Sequence, residues 1–304
     1  MEHRVELISD PLTDPLTDRR ADRRSASAGK GIAVAREIAR YTVLTLMSVA
    51  ALYPVLWLVS TAFKSQAEYA QNPMAPPHSI NFSNFGAVLA DDKIIGYLVN
   101  SLIVVGVAVP LVTSTAVLAG YSIARLWRRG GAVLLLIFLF SELVPLAIVS
   151  IPLLLTVKQI GINNGLVRLI FVYSVLMMGF AVLLSWAFFR SIPEELREAA
   201  RLEGCSEFGV FRRIMMPLAR SPITLIAVIT FITLWNELFL AVVLLDSGND
   251  RTLPLGLTEL KGRYVTNWPK VAAALLLSAL PTLVLYGLFQ GKIAKQFSRS
   301  TTRE

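Results

Sequence analysis

The chain has 304 residues, 55% of them hydrophobic and 16% charged, with a formal net charge of +8 and a mean hydropathy of +0.60. That balance excludes an ordinary soluble domain and points to a multi-span membrane protein. A single cysteine, Cys205, excludes an internal disulfide, and two distant histidines, His3 and His78, with no C-x-x-C, leave no expected metal site.

Residues 1–40 are polar and carry the mixed-charge run DPLTDPLTDRRADRR. Low hydrophobicity with proline predicts a disordered N-terminal tail. The polar lead and the apolar run after it are both too long for a cleaved signal peptide. Six apolar stretches follow, at about 41–63, 97–119, 132–157, 169–189, 222–245 and 271–289. Each is near or above the roughly 20 residues a helix needs to cross about 30 Å of hydrocarbon. Backbone groups in lipid must be satisfied within the chain, so these are helices. The expected fold is an all-α integral membrane protein with six transmembrane helices over 41–290. A tail over 1–40 precedes them and a C-terminal tail over 291–304 follows. Pro145 and Pro152 are expected to kink the third span.

Of the 29 Lys and Arg residues, 21 fall in segments that share a side with the N-terminus. The other eight are Lys64, Lys93, Lys158, Arg168, Arg251, Lys261, Arg263 and Lys270. The imbalance places both termini and the 191–222 segment in the cytoplasm. It also explains the positive charge as a topology signal, so nucleic acid is not an expected partner. The loops on the other side, 64–96 and 246–270, either touch a soluble partner or cap helix ends; their residues favour neither.

Segment 191–222, SIPEELREAARLEGCSEFGVFRRIMMPLARSP, is the longest polar stretch between spans. Ser191 with Glu194 reads as a capping box, with Pro193 in the first turn. The helix should run to about Glu203, where Gly204 supplies a left-handed corner. Ser206 offers a second N-cap. Phe208, Phe211 and Ile214 or Met215 follow at helical spacing, and Pro217 should stop that helix.

The order Glu198-Ala199-Ala200, three residues, Gly204, nine residues, Ile214, one residue, Met216-Pro217 resembles the EAA loop of ABC-importer permeases, with Met216 where that family has Leu. Other elements match one branch of the family, the maltose-type carbohydrate permeases, over about 41–289. Asn100-Ser101 resembles its NS pair. AGYSIAR, ending at Arg125, resembles its AAYALAR. Gly161-Ile162-Asn163-Asn164 resembles GLxNT. Trp235-Asn236-Glu237 resembles a WN-acidic element, and TLPLGL from Thr252 resembles TLPxGL. The chain departs from the branch at its end, KQFSRSTTRE, where the Gly-rich tail is missing.

The resemblance implies a permease subunit of a bacterial inner membrane, forming half of the pathway for a mono- or oligosaccharide or a polyol. The implied partners are a second permease chain, two cytoplasmic ATPases and an extracytoplasmic solute-binding protein. ATP and Mg would sit on the ATPases, with no cofactor and no catalytic residue in this chain, which has no G-x-x-x-x-G-K-[ST] loop. Within the cytoplasmic helix-turn-helix coupling loop, Glu198 is the implied polar anchor on an ATPase, with Ala199 and Ala200 allowing close approach. Gly204 is the corner, Phe208 and Phe211 are the apolar contact, and Ile214 and Pro217 complete the motif.

Candidates to line the solute pathway are Asn100, Glu142, Tyr173, Trp235, Asn236 and Glu237. The two intramembrane acids, Glu142 and Glu237, are costly in lipid and must face protein or water. They either bond sugar hydroxyls or make a structural hydrogen bond. The alternatives are an ABC permease for another small solute or an ion-coupled secondary transporter. The latter predicts inverted repeats, which the sequence does not display.

Overall fold

The computed structural model describes residues 15–127, 130–246, 248, 250–260 and 266–301, with side chains over 36–291 of these. Lys261 and Arg263 lie outside the described residues. Regular structure among the described residues is entirely helical. The chain divides into two compact units, 1–58 and 59–304.

The first unit is built from helix α1 (Pro15–Ala62), which runs on into the start of the second. Of the expected disordered tail, residues 1–14 lie outside the described residues, and from Pro15 the backbone is helical. Proline is favoured in a first helical turn because its missing N–H has no partner there anyway.

The second unit continues with α2 (Gln66–Gln71) and α3 (Ser83–Leu89), then the long α4 (Asp92–Tyr121), which ends in a π turn over Ser122–Leu126. Next come α5 (Gly131–Leu143), α6 (Leu146–Gln159) and α7 (Gly165–Ser191). Helices α8 (Glu195–Leu202) and α9 (Glu207–Val210), a π turn over Phe211–Met215 and α10 (Met216–Leu218) form the polar segment. They lead into α11 (Arg220–Trp235), α12 (Phe239–Leu244), α13 (Leu253–Leu257) and α14 (Trp268–Thr301).

The core is the crossing of α4 and α7, joined by α11. Val112, Ala116, Ala181 and Val182 are fully or almost fully buried there with Ile226. Small residues let the backbones approach, as membrane helices require when lipid supplies no hydrophobic drive between them. Gly120 is the closest point. A Cβ there would lie 2.5 Å from Ser185 Oγ and 2.7 Å from the Trp186 amide nitrogen.

Four helices are long and apolar enough to cross a membrane: Arg36–Ala62 within α1, Asp92–Leu126, Gly165–Ser191 and Trp268–Gly291. Two further pairs pass only together. α5 and α6 meet at 106°, and Glu207–Leu218 meets Arg220–Trp235 at 72°. Counting each pair as one span gives six. The third span is therefore not a kinked helix but a broken one. Val144 and Pro145 are extended at the break, and Pro145 cannot supply an N–H to continue α5. Pro152, by contrast, sits inside α6. The fifth span also differs from a single helix over 222–245, because α11 ends at Trp235 and α12 starts at Phe239. At the C-terminus, α14 runs on through Thr301, past the expected start of the tail at 291.

Candidate functional site

The 191–222 segment folds as helix, glycine corner and helix, with a different first cap. Ser191 is the last residue of α7 and its hydroxyl donates to Phe188 O at 2.8 Å. The Ser191–Glu194 capping box does not form; α8 starts after Glu194, whose carboxylate is taken up by two arginines. At the far end Gly204 has φ +86°, the left-handed region glycine enters without penalty. Cys205 N donates to Ala200 O and Gly204 N to Arg201 O, both at 3.0 Å, the paired bonds of a Schellman closure. Ser206 caps α9 as expected, accepting from Gly209 N at 3.2 Å. Pro217 does not stop the helix; the backbone passes through it as α10 and bends at Ala219.

A charge cluster clamps this segment to the span ends. Arg125, from the AGYSIAR motif, pairs with Glu194 and donates to the carbonyls of Phe189 (2.7 Å) and Ile192. Arg197 is buried and donates to Glu194 at 2.6 Å and to both oxygens of Glu207. Arg201 reaches Glu207 at 3.0 Å, and Tyr121 Oη donates to it at 3.3 Å. Hydrogen bonding from Arg197 holds the Glu207 carboxyl below the usual carboxylate range. Burial opposes ionisation of Glu194, but Arg197 and Arg125 outweigh it and its value is also lowered. The Arg197 guanidinium is shifted upward, first by its bond to Glu207. Beneath the charges lies an apolar contact, with Tyr121 against Phe211 at 4.9 Å and against Phe189 at 5.3 Å.

The implied coupling residues separate into two groups. Glu198, Ala199, Gly204, Phe208 and Pro217 are exposed. Ala200 is buried, Ile214 half-buried, and Phe211 is buried against Tyr121. Its place on the surface is taken by Leu202, 90% exposed, beside Phe208 at 68%. Sequence reading missed Leu202. Helix α8 buries Arg197 and Ala200 and leaves Leu196 and Leu202 exposed beside Glu195, Glu198 and Arg201 along the chain, which no local pattern announces.

The opposite side of the unit is organised by two motifs that meet. Asn100 donates to Arg251 O at 3.0 Å, and Ser101 Oγ accepts from Leu253 N at 2.7 Å. Together they pin TLPLGL to α4. Tyr97 Oη donates to Glu259 at 2.9 Å, and its ring lies where a Cβ on Gly256 would come within 1.9 Å. Three cations of this side, Lys64, Arg168 and Lys270, are held by the protein, whereas Lys93 and Lys158 are exposed. Lys64 is buried and donates to Pro73 O at 2.9 Å. Arg168 is buried against Leu244 O (2.6 Å) and Asn163 O (3.0 Å), holding the Gly161–Asn164 turn to the end of α12. Lys270 pairs with Asp91 at 3.1 Å.

The six pathway candidates do not form one surface. Tyr173 and Trp235 are buried. Tyr173 donates to Glu237, and Glu237 accepts from Leu240 N (2.8 Å) and Ala241 N (3.2 Å). Glu237 therefore caps α12 at the break, which answers the cost of an acid within a span. Trp235 Nε1 donates to Ser278 O at 2.9 Å, tying α11 to α14. Asn100 is committed to Arg251 O. Glu142 and Asn236 are exposed; Glu142 lies over Gly179, where a Cβ would meet it at 2.4 Å.

Helices of spanning length, two of the spans broken, and an amphipathic helix clamped across their ends define a transport permease. The chain belongs to the family described as binding-protein-dependent transport system inner membrane component, which matches residues 85–295. It is 28% identical over 255 residues to the sulfoquinovosyl glycerol transport system permease protein SmoH of Agrobacterium fabrum, covering 84% of this chain and 90% of that one. It is 32% identical over 241 residues to the diacetylchitobiose uptake system permease protein DasC of Streptomyces coelicolor, covering 79% and 87%. Its fold is similar to a chain of a bacterial ABC transporter involved in the import of the acidic polysaccharide alginate. The TM-score is 0.75 and the identity 22%, covering 84% of this chain and 95% of that one.

Proposed function

We propose that this chain is half of the transmembrane pathway of an ATP-driven importer for a sugar, glycoside or oligosaccharide, and that the 191–222 segment docks on a cytoplasmic ATPase. The carrying observation is that two large apolar side chains at the corner, Leu202 at the end of α8 and Phe208 on α9, are 90% and 68% exposed while Arg197 is buried in the clamp. Large apolar side chains held out in solvent cost free energy that a partner covering them would recover. The carbohydrate class is supported by relatives whose names specify a sulfoquinovosyl glycerol and a diacetylchitobiose.

In this reading both termini and α8 are cytoplasmic. A second permease chain completes the pathway, a solute-binding protein delivers from outside, and two ATPases hold ATP and Mg. No hydrolysis occurs in this chain. The clamp of Arg125, Glu194, Arg197 and Glu207 makes α8 and the ends of α4 and α7 one rigid body. Movement of a docked ATPase then reaches the spans instead of being lost in a flexible loop.

The test is a pull-down and uptake assay of Leu202→Asp in the assembled complex, with Lys93→Gln, outside the segment, as control. The expected outcome is loss of the ATPase and of solute uptake in the first and retention of both in the second. ATPase retention and unchanged uptake in Leu202→Asp would sink the docking assignment.

A further inference from the structure

We infer that a recess beside Arg190 binds the phosphate-bearing headgroup of an anionic phospholipid. The recess has a volume of about 330 Å³ and lies between the start of α5, the π turn after α4 and the last turn of α7. Trp127, Trp186 and Arg190 supply its polar wall, and Gly131, Ala132 and Leu135 its remaining side. Three larger recesses of this unit, about 430, 400 and 380 Å³, are lined mostly by apolar side chains such as Val109, Val117 and Phe138.

Arg190 is exposed in the last turn of α7, with its guanidinium carbon 5.6 Å from the Trp186 ring centre. Among the described residues its N–H groups have no protein acceptor and it joins no ion pair. Arg125, Arg168, Arg197, Arg201 and Arg251 all have carboxylate partners. Arg212, Arg213 and Arg220 join no ion pair among the described residues either, but only Arg190 lines this recess. The unmatched fork thus stands in the last turn of a helix long and apolar enough to span a membrane. Phosphate oxygens fit that fork in a bidentate manner.

A second feature points the same way. α5 begins at this recess with no side chain capping it; Gly131 N and Val133 N donate to Trp127 O and Gly130 O, and the positive end of the helix dipole adds to the attraction for an anion. Two of the five tryptophans line the site, and indoles prefer the headgroup level of a bilayer. Leu135 and Ile123 give the recess an apolar wall against which an acyl chain would pack. Cation, helix end and indoles together select an anion carrying a hydrocarbon tail, as basic pockets between membrane helices do. The inference is independent of which solute the protein carries.

The experiment is native mass spectrometry of the full-length protein in detergent, with added phosphatidylglycerol, phosphatidylcholine or inorganic phosphate. Wild type should retain phosphatidylglycerol about tenfold better than phosphatidylcholine, the size expected of a charge-assisted contact. Arg190→Gln should abolish that preference, Arg190→Lys should keep part of it, and Arg220→Gln should keep all of it. Trp186→Leu gives the same reading if Arg190→Gln is not monodisperse. Equal retention of the two lipids by wild type, or an unchanged preference in both Arg190→Gln and Trp186→Leu, would overturn the proposal. So would binding of inorganic phosphate without phosphatidylglycerol, because the ligand would then be free phosphate.

Discussion

Glu207 holds three elements at once: Arg197 and Arg201 from α8 and Tyr121 from α4. Its carboxyl titrates below the ordinary value of 4.5, first because Arg197 donates to it. A group whose folded value is depressed adds stability above its unfolded value, and that stability is lost as pH falls through the folded one. The contribution is therefore complete at pH 6–8 and disappears only below about 4.5. Thermal unfolding of wild type should fall more steeply than that of Glu207→Gln between pH 5 and pH 3, with the two curves converging at low pH. Parallel curves would mean that Glu207 is not held by the clamp.

The same logic of close fit governs the contact of α13 with α4. Gly256 sits against the Tyr97 ring, and even one methyl would overlap it. Overpacking of this kind costs about 1–3 kcal/mol. Gly256→Ala should lower the melting temperature and raise proteolysis near 246–270, whereas Gly86→Ala, where a Cβ meets nothing within 4 Å, should do neither through a clash. Equal melting of Gly256→Ala and wild type would show that Tyr97 can move aside. The Asn100-Ser101 pair and TLPLGL were each legible as short motifs. That one fastens the other was not, because the contact joins residues 152 apart in the chain.

For the molecule as a whole, the open quantity is its orientation. In the proposed function the charge imbalance puts α8 in the cytoplasm. Three cations on the opposite side fit this reading, since Lys64, Arg168 and Lys270 are spent on carbonyls and carboxylates. Cys205, the sole cysteine and half-buried at the α8 corner, is a native reporter. A membrane-impermeant maleimide should label it in inverted vesicles and leave it unlabelled in intact cells. The reverse pattern would invert the topology and remove the basis for docking α8 on a cytoplasmic ATPase.

Apolar length alone determined that this chain is a helical membrane protein, because unpaired backbone cannot remain in lipid. The glycine corner was also legible, because only Gly204 enters φ +86° freely in that turn. Residue order further carried the likeness to a permease family. Tertiary structure alone decided which side chains of that pattern face outward. Phe208 and Phe211 look equivalent at helical spacing, yet Tyr121 and Phe189 draw Phe211 inward and leave Leu202 on the surface. It likewise decided that Glu237 caps α12 instead of lining an open path, since that needed Tyr173 and the break at Asn236 to converge. Local periodicity reports which residues share a face of one helix. What covers that face depends on contacts between residues far apart in the chain, and no local pattern records them.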